Sequence, residues 1–225
     1  MQQLANQLPL HLFWFRRDLR IADNQGFWQA CRYPDIEVWP IFIIDPYFFH
    51  EWPEIGQLRV KFMFESLQDL DLSLRKLGSC LFLLEGRSTE VWEQVFCQAQ
   101  NQFALSLYFN RDRQIAYGHN RDQQVLVLAK RYHCKVYIGS SNFLLLNSAD
   151  MPHWRQKYYE HQKQPLFPTP NNIRTTINLA KQFWSQADIQ LLTLAEFQEK
   201  YKAFLRDKSQ LFTCLLYTSP SPRDS

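Results

Sequence analysis

The chain has 225 residues, of which 46% are hydrophobic and 16% aromatic, and its 25 basic residues stand against 22 acidic ones. This composition predicts a folded globular protein with a sizeable core, and a net charge of only +3 argues against the strong basic field of a dedicated nucleic-acid-binding protein. No run reaches the roughly 18 apolar residues of a membrane span, and the N-terminus carries no secretory signal, so we expect a cytoplasmic protein, or a nuclear or organellar one in a eukaryote.

Strands and helices are predicted to alternate along the first 140 residues. The predicted strands are residues 11–15, 37–44, 80–84, 105–109 and 135–138, and the predicted helices are residues 24–32, 57–77, 88–99 and 119–132. Asn24 and Ser88 are the expected N-caps of the first and third helices, and Gly78 follows the second helix where a C′ glycine belongs. Five short apolar strands alternating with helices predict an α/β fold with a doubly wound, mostly parallel, Rossmann-like five-stranded sheet.

The alternation ends after Gly139. Three more helices are predicted at residues 151–163, 175–186 and 194–208, with a proline-rich extended stretch after the first of them. We therefore expect an α/β domain over residues 10–140 and an interdomain linker with helices over residues 141–213. Residues 214–225 match nothing before them and are similar to translated sequencing-adapter sequence, so we expect a non-native tail there.

Nothing in the cysteines or histidines predicts a metal site or a catalytic group. The five cysteines are scattered and odd in number, which favours reduced thiols over a disulfide framework or a zinc site. The histidines lack metal-ligand spacing, and no glycine-rich phosphate loop is present. We therefore assign no catalytic residue and no metal ligand.

Three polar segments should meet at one edge of the predicted sheet. Open α/β sheets bind ligands beyond the carboxyl ends of their strands, and residues 16–20, 42–46 and 110–122 follow the first, second and fourth predicted strands. We therefore expect the function to come from this edge of the sheet, where the strands end.

The string FWFRRDLRIADN at residues 13–24 resembles the opening of the photolyase/cryptochrome family, W-[FH]-R-R-D-L-R-x-x-D-N. The resemblance extends over residues 10–165. Its later motifs, F-x-x-D-P, N-x-D and Y-G-x-x-R-D, are most similar to members that bind a deazaflavin. Gln114 departs from that pattern, because the family has Glu there, and one extra residue separates Gln114 from Tyr117.

The resemblance implies the antenna-chromophore domain of a blue-light flavoprotein, truncated before its helical FAD domain. The implied chromophore is 8-hydroxy-5-deazaflavin in preference to methenyltetrahydrofolate, or none. Its implied binding residues are Phe42, Asp45, Arg59, Asn110, Asp112 and Gln114.

FAD and damaged DNA would be bound only through the missing domain. The intact protein would then be a deoxyribodipyrimidine photolyase or a cryptochrome photoreceptor, and the sequence does not separate repair from signalling. The alternative is a stand-alone nucleotide-binding or interaction module with the same sheet topology.

Overall fold

The computed structural model describes residues 7–51, 56–111, 116–140, 152–187 and 189–202. The strands are β1 Leu8–Phe15, β2 Glu37–Ile44, β3 Phe82–Glu85, β4 Phe103–Asn110, β5 Lys135–Gly139 and β6 Gln190–Leu192. The helices are α1 Gln25–Ala30, α2 Gln57–Lys76, α3 Ser88–Ala99, α4 Ala116–Arg131, α5 Trp154–Gln162, α6 Ile177–Gln186 and α7 Leu194–Lys200, and a π-helix, Tyr47–Glu51, follows β2.

The six strands form one sheet in the order β5-β4-β1-β2-β3-β6. Neighbours among β1 to β5 are parallel, and β6 pairs antiparallel with β3 at the edge. The predicted doubly wound, mostly parallel α/β fold is therefore confirmed. The sheet has six strands instead of the expected five, because the three-residue β6 is too short to show a periodic signal of its own.

Side chains alternate between the two faces of the sheet, and each face has its own core. Along β1, Leu12 and Trp14 lie in one core with α3, α4 and α6, whereas Phe13 and Phe15 lie in the other with α1, α2 and α7. Helices on both faces explain why the parallel strands are almost continuously apolar. This arrangement leaves the ends of the strands as the polar edges of the sheet.

The predicted capping residues are found at α1 and α2 but not at α3, although α3 has the predicted limits. The Asn24 side chain accepts a hydrogen bond from the Phe27 N–H, as an N-cap should, and Gly78 adopts a φ of +83° just after α2. Ser88, the expected cap of α3, is instead its first residue, and Arg87 occupies the N-cap position. The Ser88 hydroxyl does not cap α3, because it donates a hydrogen bond to the carboxylate of Asp45.

The C-terminal part of the chain packs onto the sheet instead of forming a linker. Phe183, Trp184 and Phe197 are at most 3% exposed, and β6 adds a strand beside β3. In contrast, no residue of α5 is buried. Within the segment expected as an interdomain linker with helices, residues 141–213, Ile173 and Tyr201 are buried in the core beside α2 and α7. Residues 203–225, including the expected tail, lie outside the described residues.

Among the described residues, no helix is both long enough and apolar enough to cross a membrane.

Candidate functional site

The carboxyl ends of five parallel strands lie at one edge of the sheet. The chain winds from β1 through β2 to β3 in one direction, and then crosses β1 to continue with β4 and β5 on the other side. The loops after β1 and β4 therefore diverge at this edge. Such a switch point is where open α/β sheets form their ligand crevice.

A buried polar cluster fills the crevice between β1 and β4. The Asn110 side chain accepts from the Gly26 N–H at 2.8 Å and donates to Asn24 Oδ1 at 2.6 Å and to the carboxylate of Asp18. The guanidinium of Arg16 donates to the Asn110 carbonyl. A carboxamide has two donors and one acceptor oxygen, so this side chain is fully engaged within the protein. Asn110 positions the loops and has no donor left for a ligand.

Two arginines lie over the indole of Trp14 at the same edge and share one aspartate. Asp122 accepts from Arg16 Nη1 at 2.6 Å and from Arg121 Nη2 at 3.0 Å. The two guanidinium carbons lie 5.2 and 4.8 Å from the centre of the Trp14 ring system, within the range of cation–π contacts. Among the described residues, Arg16 Nε is buried with no hydrogen-bond acceptor.

The carboxylate of Asp45 accepts hydrogen bonds from three segments, which follow β2, β3 and β4. Its Oδ2 accepts from the Ser88 N–H at 3.1 Å, from the Ser88 hydroxyl at 2.7 Å and from the Tyr117 hydroxyl at 2.8 Å. Its Oδ1 accepts from the Tyr47 N–H at 3.1 Å. The side chain is 2% exposed. Asp45 therefore ties the end of β2 to the starts of α3 and α4.

Three half-buried aromatic rings, those of Tyr47, Phe48 and Tyr117, pack together next to Asp45. The rings of Tyr47 and Tyr117 stack with their centres 3.6 Å apart and their planes 6° apart, and Phe48 meets both edge-on. Burial and the hydrogen bond to Asp45 raise the pKa of Tyr117, whereas the guanidinium groups of Arg121 and Arg87 act in the opposite direction. Arg87 is exposed directly before α3, whereas Arg121 is paired with Asp122.

The structure places four of the six implied chromophore residues at or near this edge. Phe42 is 8% exposed and packs in the core under α2, so it offers a ligand little open surface. Asp45 and Asn110 are engaged as described above. Arg59 is exposed in the first turn of α2. Asp112 and Gln114 lie outside the described residues.

Sequence reasoning assigned no site role to Tyr47, Phe48 or Tyr117. Their signal was present, because Tyr47 and Phe48 directly follow the Asp45-Pro46 pair and Tyr117 begins the Y-G-x-x-R-D motif. Phe42 is buried, whereas these three rings are half-buried and leave part of their surface exposed at this edge. Within the described ranges, no group of three histidine, cysteine or acidic residues could hold a metal ion.

Residues 11–163 match the protein family described as DNA photolyase. The chain is 37% identical over 131 residues to Cryptochrome-2 of Gallus gallus, and 39% identical over 88 residues to the (6-4)DNA photolyase of Arabidopsis thaliana. These alignments cover 58% and 36% of this chain, but only 22% and 16% of the two relatives. The chain thus spans about a fifth of the length of the curated relatives that it matches.

Solved structures of photolyases and cryptochromes have the same fold. An archaeal photolyase from Sulfolobus tokodaii superposes with a TM-score of 0.65 at 22% identity, covering 95% of this chain and 47% of that protein. A Synechocystis cryptochrome superposes with a TM-score of 0.64 at 20% identity, covering 84% and 40%. At such identities the likeness shows the fold, and this chain corresponds to less than half of either structure.

Proposed function

Because this chain belongs to the DNA photolyase family, we propose that it is the antenna-chromophore domain of a blue-light flavoprotein. The intact protein would be a DNA photolyase that splits pyrimidine dimers or a cryptochrome photoreceptor. The observation that carries the proposal is the group of half-exposed rings and arginines at the carboxyl edge of the sheet. This edge is where the fold places ligands, and the residue types there suit a flat conjugated ring.

A bound antenna chromophore would supply absorption of light and transfer of the excitation energy. The residues of this chain would bind and orient it. Tyr117 offers a flat ring fixed by its hydrogen bond to Asp45, and Arg87, exposed at the N-cap of α3, offers positive charge for an anionic ring oxygen. Arg59 adds a second guanidinium, in the first turn of the helix that follows β2.

The chemistry favours a deazaflavin or flavin over a folate. The motifs at Asp45 and Tyr117 are similar to those of deazaflavin-binding members. The archaeal neighbour, moreover, was solved with two FAD molecules and with the implication of a novel light-harvesting cofactor. A tricyclic ring of this kind has the flat area and the polar edge that stacked tyrosines and guanidinium groups recognise.

The catalytic flavin and the nucleic-acid partner belong to the rest of the proposed protein. FAD would lie in a helical domain in cis, and damaged DNA would bind through that domain. The relatives include both a cryptochrome and a (6-4) photolyase, so repair and signalling both remain within the proposal.

Titration of the purified chain with 8-hydroxy-5-deazaflavin and with methenyltetrahydrofolate tests the proposal, with absorbance and fluorescence as readouts. We expect saturable binding of the deazaflavin. Arg59→Ala should weaken it by roughly 1.5–3 kcal/mol, the range for a charge-assisted hydrogen bond. Arg155→Ala is the matched control, because Arg155 is an exposed arginine on α5. Failure of both ligands to bind contradicts the antenna role, and equal affinities of the two variants remove Arg59 from the site.

A further inference from the structure

The stack of Tyr47 on Tyr117 has an unusual geometry for an aromatic pair. Stacked planes of carbon atoms lie about 3.5 Å apart at van der Waals contact, so a centre-to-centre distance of 3.6 Å leaves almost no lateral offset. Aromatic pairs prefer offset or edge-to-face arrangements, because the faces of both rings are negative. Separating these two rings therefore sacrifices less stabilisation than separating an offset pair.

The two rings are held in different ways. The Tyr117 ring is anchored by its own hydroxyl, which donates to the buried carboxylate of Asp45 at 2.8 Å. Tyr47 is joined to the same carboxylate through its backbone N–H, at 3.1 Å. Rotation about χ1 can therefore move the Tyr47 ring away from the stack while that hydrogen bond is kept. Tyr117 is therefore held to Asp45 through its side chain, whereas Tyr47 is held to it through its backbone.

The surroundings indicate what could replace the Tyr47 ring. The face of Tyr117 already holds one flat ring, and Arg87 directly precedes Ser88, whose hydroxyl donates to the same Asp45 oxygen as the Tyr117 hydroxyl. Phe48 stands edge-on to Tyr117, with ring centres 5.7 Å apart, and forms a side wall. This combination suits a flat ring with an anionic edge.

We propose that Tyr117 is the stacking shelf of the antenna site, and that Tyr47 covers this shelf until the tricyclic ring of a deazaflavin displaces it. The inference rests on the proposed function and adds to it the two residues that form and close the site. Neither residue is among the six that the family resemblance implied. The cover also shields the Tyr117 face from water when no chromophore is bound.

Titration with 8-hydroxy-5-deazaflavin tests the shelf and the cover separately. Tyr117→Leu should weaken binding about ten-fold, in line with the loss of one aromatic stack. Tyr117→Phe keeps the ring and should retain most of the affinity, which separates stacking from the hydrogen bond to Asp45. Tyr47→Ala should bind several-fold more tightly, because the ligand no longer has to displace a ring.

Tyr137→Ala is the matched control. Tyr137 also stacks on a tyrosine, Tyr108, but with ring centres 4.7 Å apart and planes 10° apart, which is an offset geometry. This variant should bind like the wild type. Circular dichroism of each variant before titration shows whether it is folded. If Tyr117→Leu is not folded, the tighter binding expected of Tyr47→Ala remains the test, and an affinity of Tyr47→Ala no higher than that of the wild type overturns the inference.

The outcomes separate this inference from the proposed function. The inference is overturned if Tyr117→Leu binds the deazaflavin as tightly as the wild type does. It is also overturned if Tyr47→Ala loses as much affinity as Tyr117→Leu. Neither result contradicts the antenna role. No binding by the wild type overturns the proposed function and this inference together.

Discussion

Asn110 organises the switch point because its amide is shared among separate segments of the chain. It satisfies the Gly26 N–H in the first turn of α1, while Asn24 satisfies the Phe27 N–H beside it. Asn110 and Gly26, which this hydrogen bond joins, are 84 residues apart in sequence. One side chain thus fixes where α1 begins relative to β4. The position of Asn110 at the ligand edge reflects this structural task.

Gly139 permits the close approach on which this cluster depends. A Cβ atom at this position would overlap Asn110 Oδ1 and lie 2.7 Å from the Gly26 nitrogen. We expect Gly139→Ala to lower the free energy of unfolding by roughly 1–3 kcal/mol, the range for overpacking. Gly56→Ala is the control, because a Cβ there meets nothing within 4 Å. Urea unfolding of both variants measures the difference. Equal unfolding midpoints would show that the polar cluster around Asn110 accommodates the added methyl group without loss of stability.

His11 gives the protein a dependence on pH near neutrality. Burial lowers the pKa of His11 from 6.5, and its ring bonds to the Ala30 carbonyl at 2.7 Å and to the Tyr108 hydroxyl at 3.3 Å. Because a carbonyl only accepts, Nδ1 carries the proton in the folded protein and Nε2 accepts from Tyr108. The folded state therefore holds His11 neutral.

Below pH 6.5 the unfolded chain gains a proton at His11 that the folded chain resists. The free energy of unfolding should therefore fall as the pH drops through 6.5, by at most about 1.4 kcal/mol per pH unit for this one group. His11→Gln should flatten this slope between pH 7 and 5.5, whereas His153→Gln, on an exposed histidine, should leave it unchanged. Unfolding curves at several pH values test this, and parallel slopes in all three proteins would exclude His11 as the cause.

At the scale of elements, Asp45 holds together the starts of α3 and α4 at the end of β2. Asp45→Ala removes the acceptor for the Ser88 N–H, the Ser88 hydroxyl and the Tyr117 hydroxyl. We expect a loss of roughly 2–4 kcal/mol of unfolding free energy without any chromophore, since several buried donors lose their partner. Asp35→Ala, on an exposed aspartate, should change it by no more than about 0.5 kcal/mol. Unchanged stability of Asp45→Ala would instead favour a direct and exclusive role in binding.

The elements were predictable where the signal is local, and unpredictable where it depends on distant partners. The limits of β2 and α3 follow from apolar runs and helix-forming residues, and structure and prediction agree on both. In contrast, β6 exists because Leu191 and Leu192 complete the edge of β3. Ser88 looked like a cap, but its hydroxyl has a partner 43 residues away.

The same limit applies to the candidate site. Polar residues after apolar strands are visible locally and predicted the carboxyl edge, and the family resemblance implied Asp45 and Asn110 there. The role of Asp45 depends on Tyr117, which is 72 residues away, and no local pattern shows that bond. The stack of Tyr47 on Tyr117 depends on the same long-range contact, which explains why neither ring was assigned to the site.

For the whole molecule, the structure indicates that the folded unit extends beyond residue 140. Trp39, at the centre of the sheet, has ring contacts with Phe183 at 5.2 Å and with Trp184 at 5.4 Å. Glu37 accepts hydrogen bonds from both the N–H and the hydroxyl of Thr176, at the start of α6. The C-terminal segment therefore covers a part of the core that a shorter chain would expose to water.

Truncation at two positions tests where the folded unit ends. A chain of residues 1–140 loses the side chains that cover Trp39, so we expect it to bind a hydrophobic dye and to lack a cooperative unfolding transition. A chain of residues 1–213 keeps every described residue and removes only the expected tail, so its unfolding free energy should stay within about 0.5 kcal/mol of the full-length value. Thermal and urea unfolding of the three chains provide the measurements. Cooperative unfolding of residues 1–140 at full-length stability would place the domain boundary at the end of β5 and make the C-terminal segment an appendage. A clear loss in residues 1–213 would show that residues 214–225 contribute to the fold.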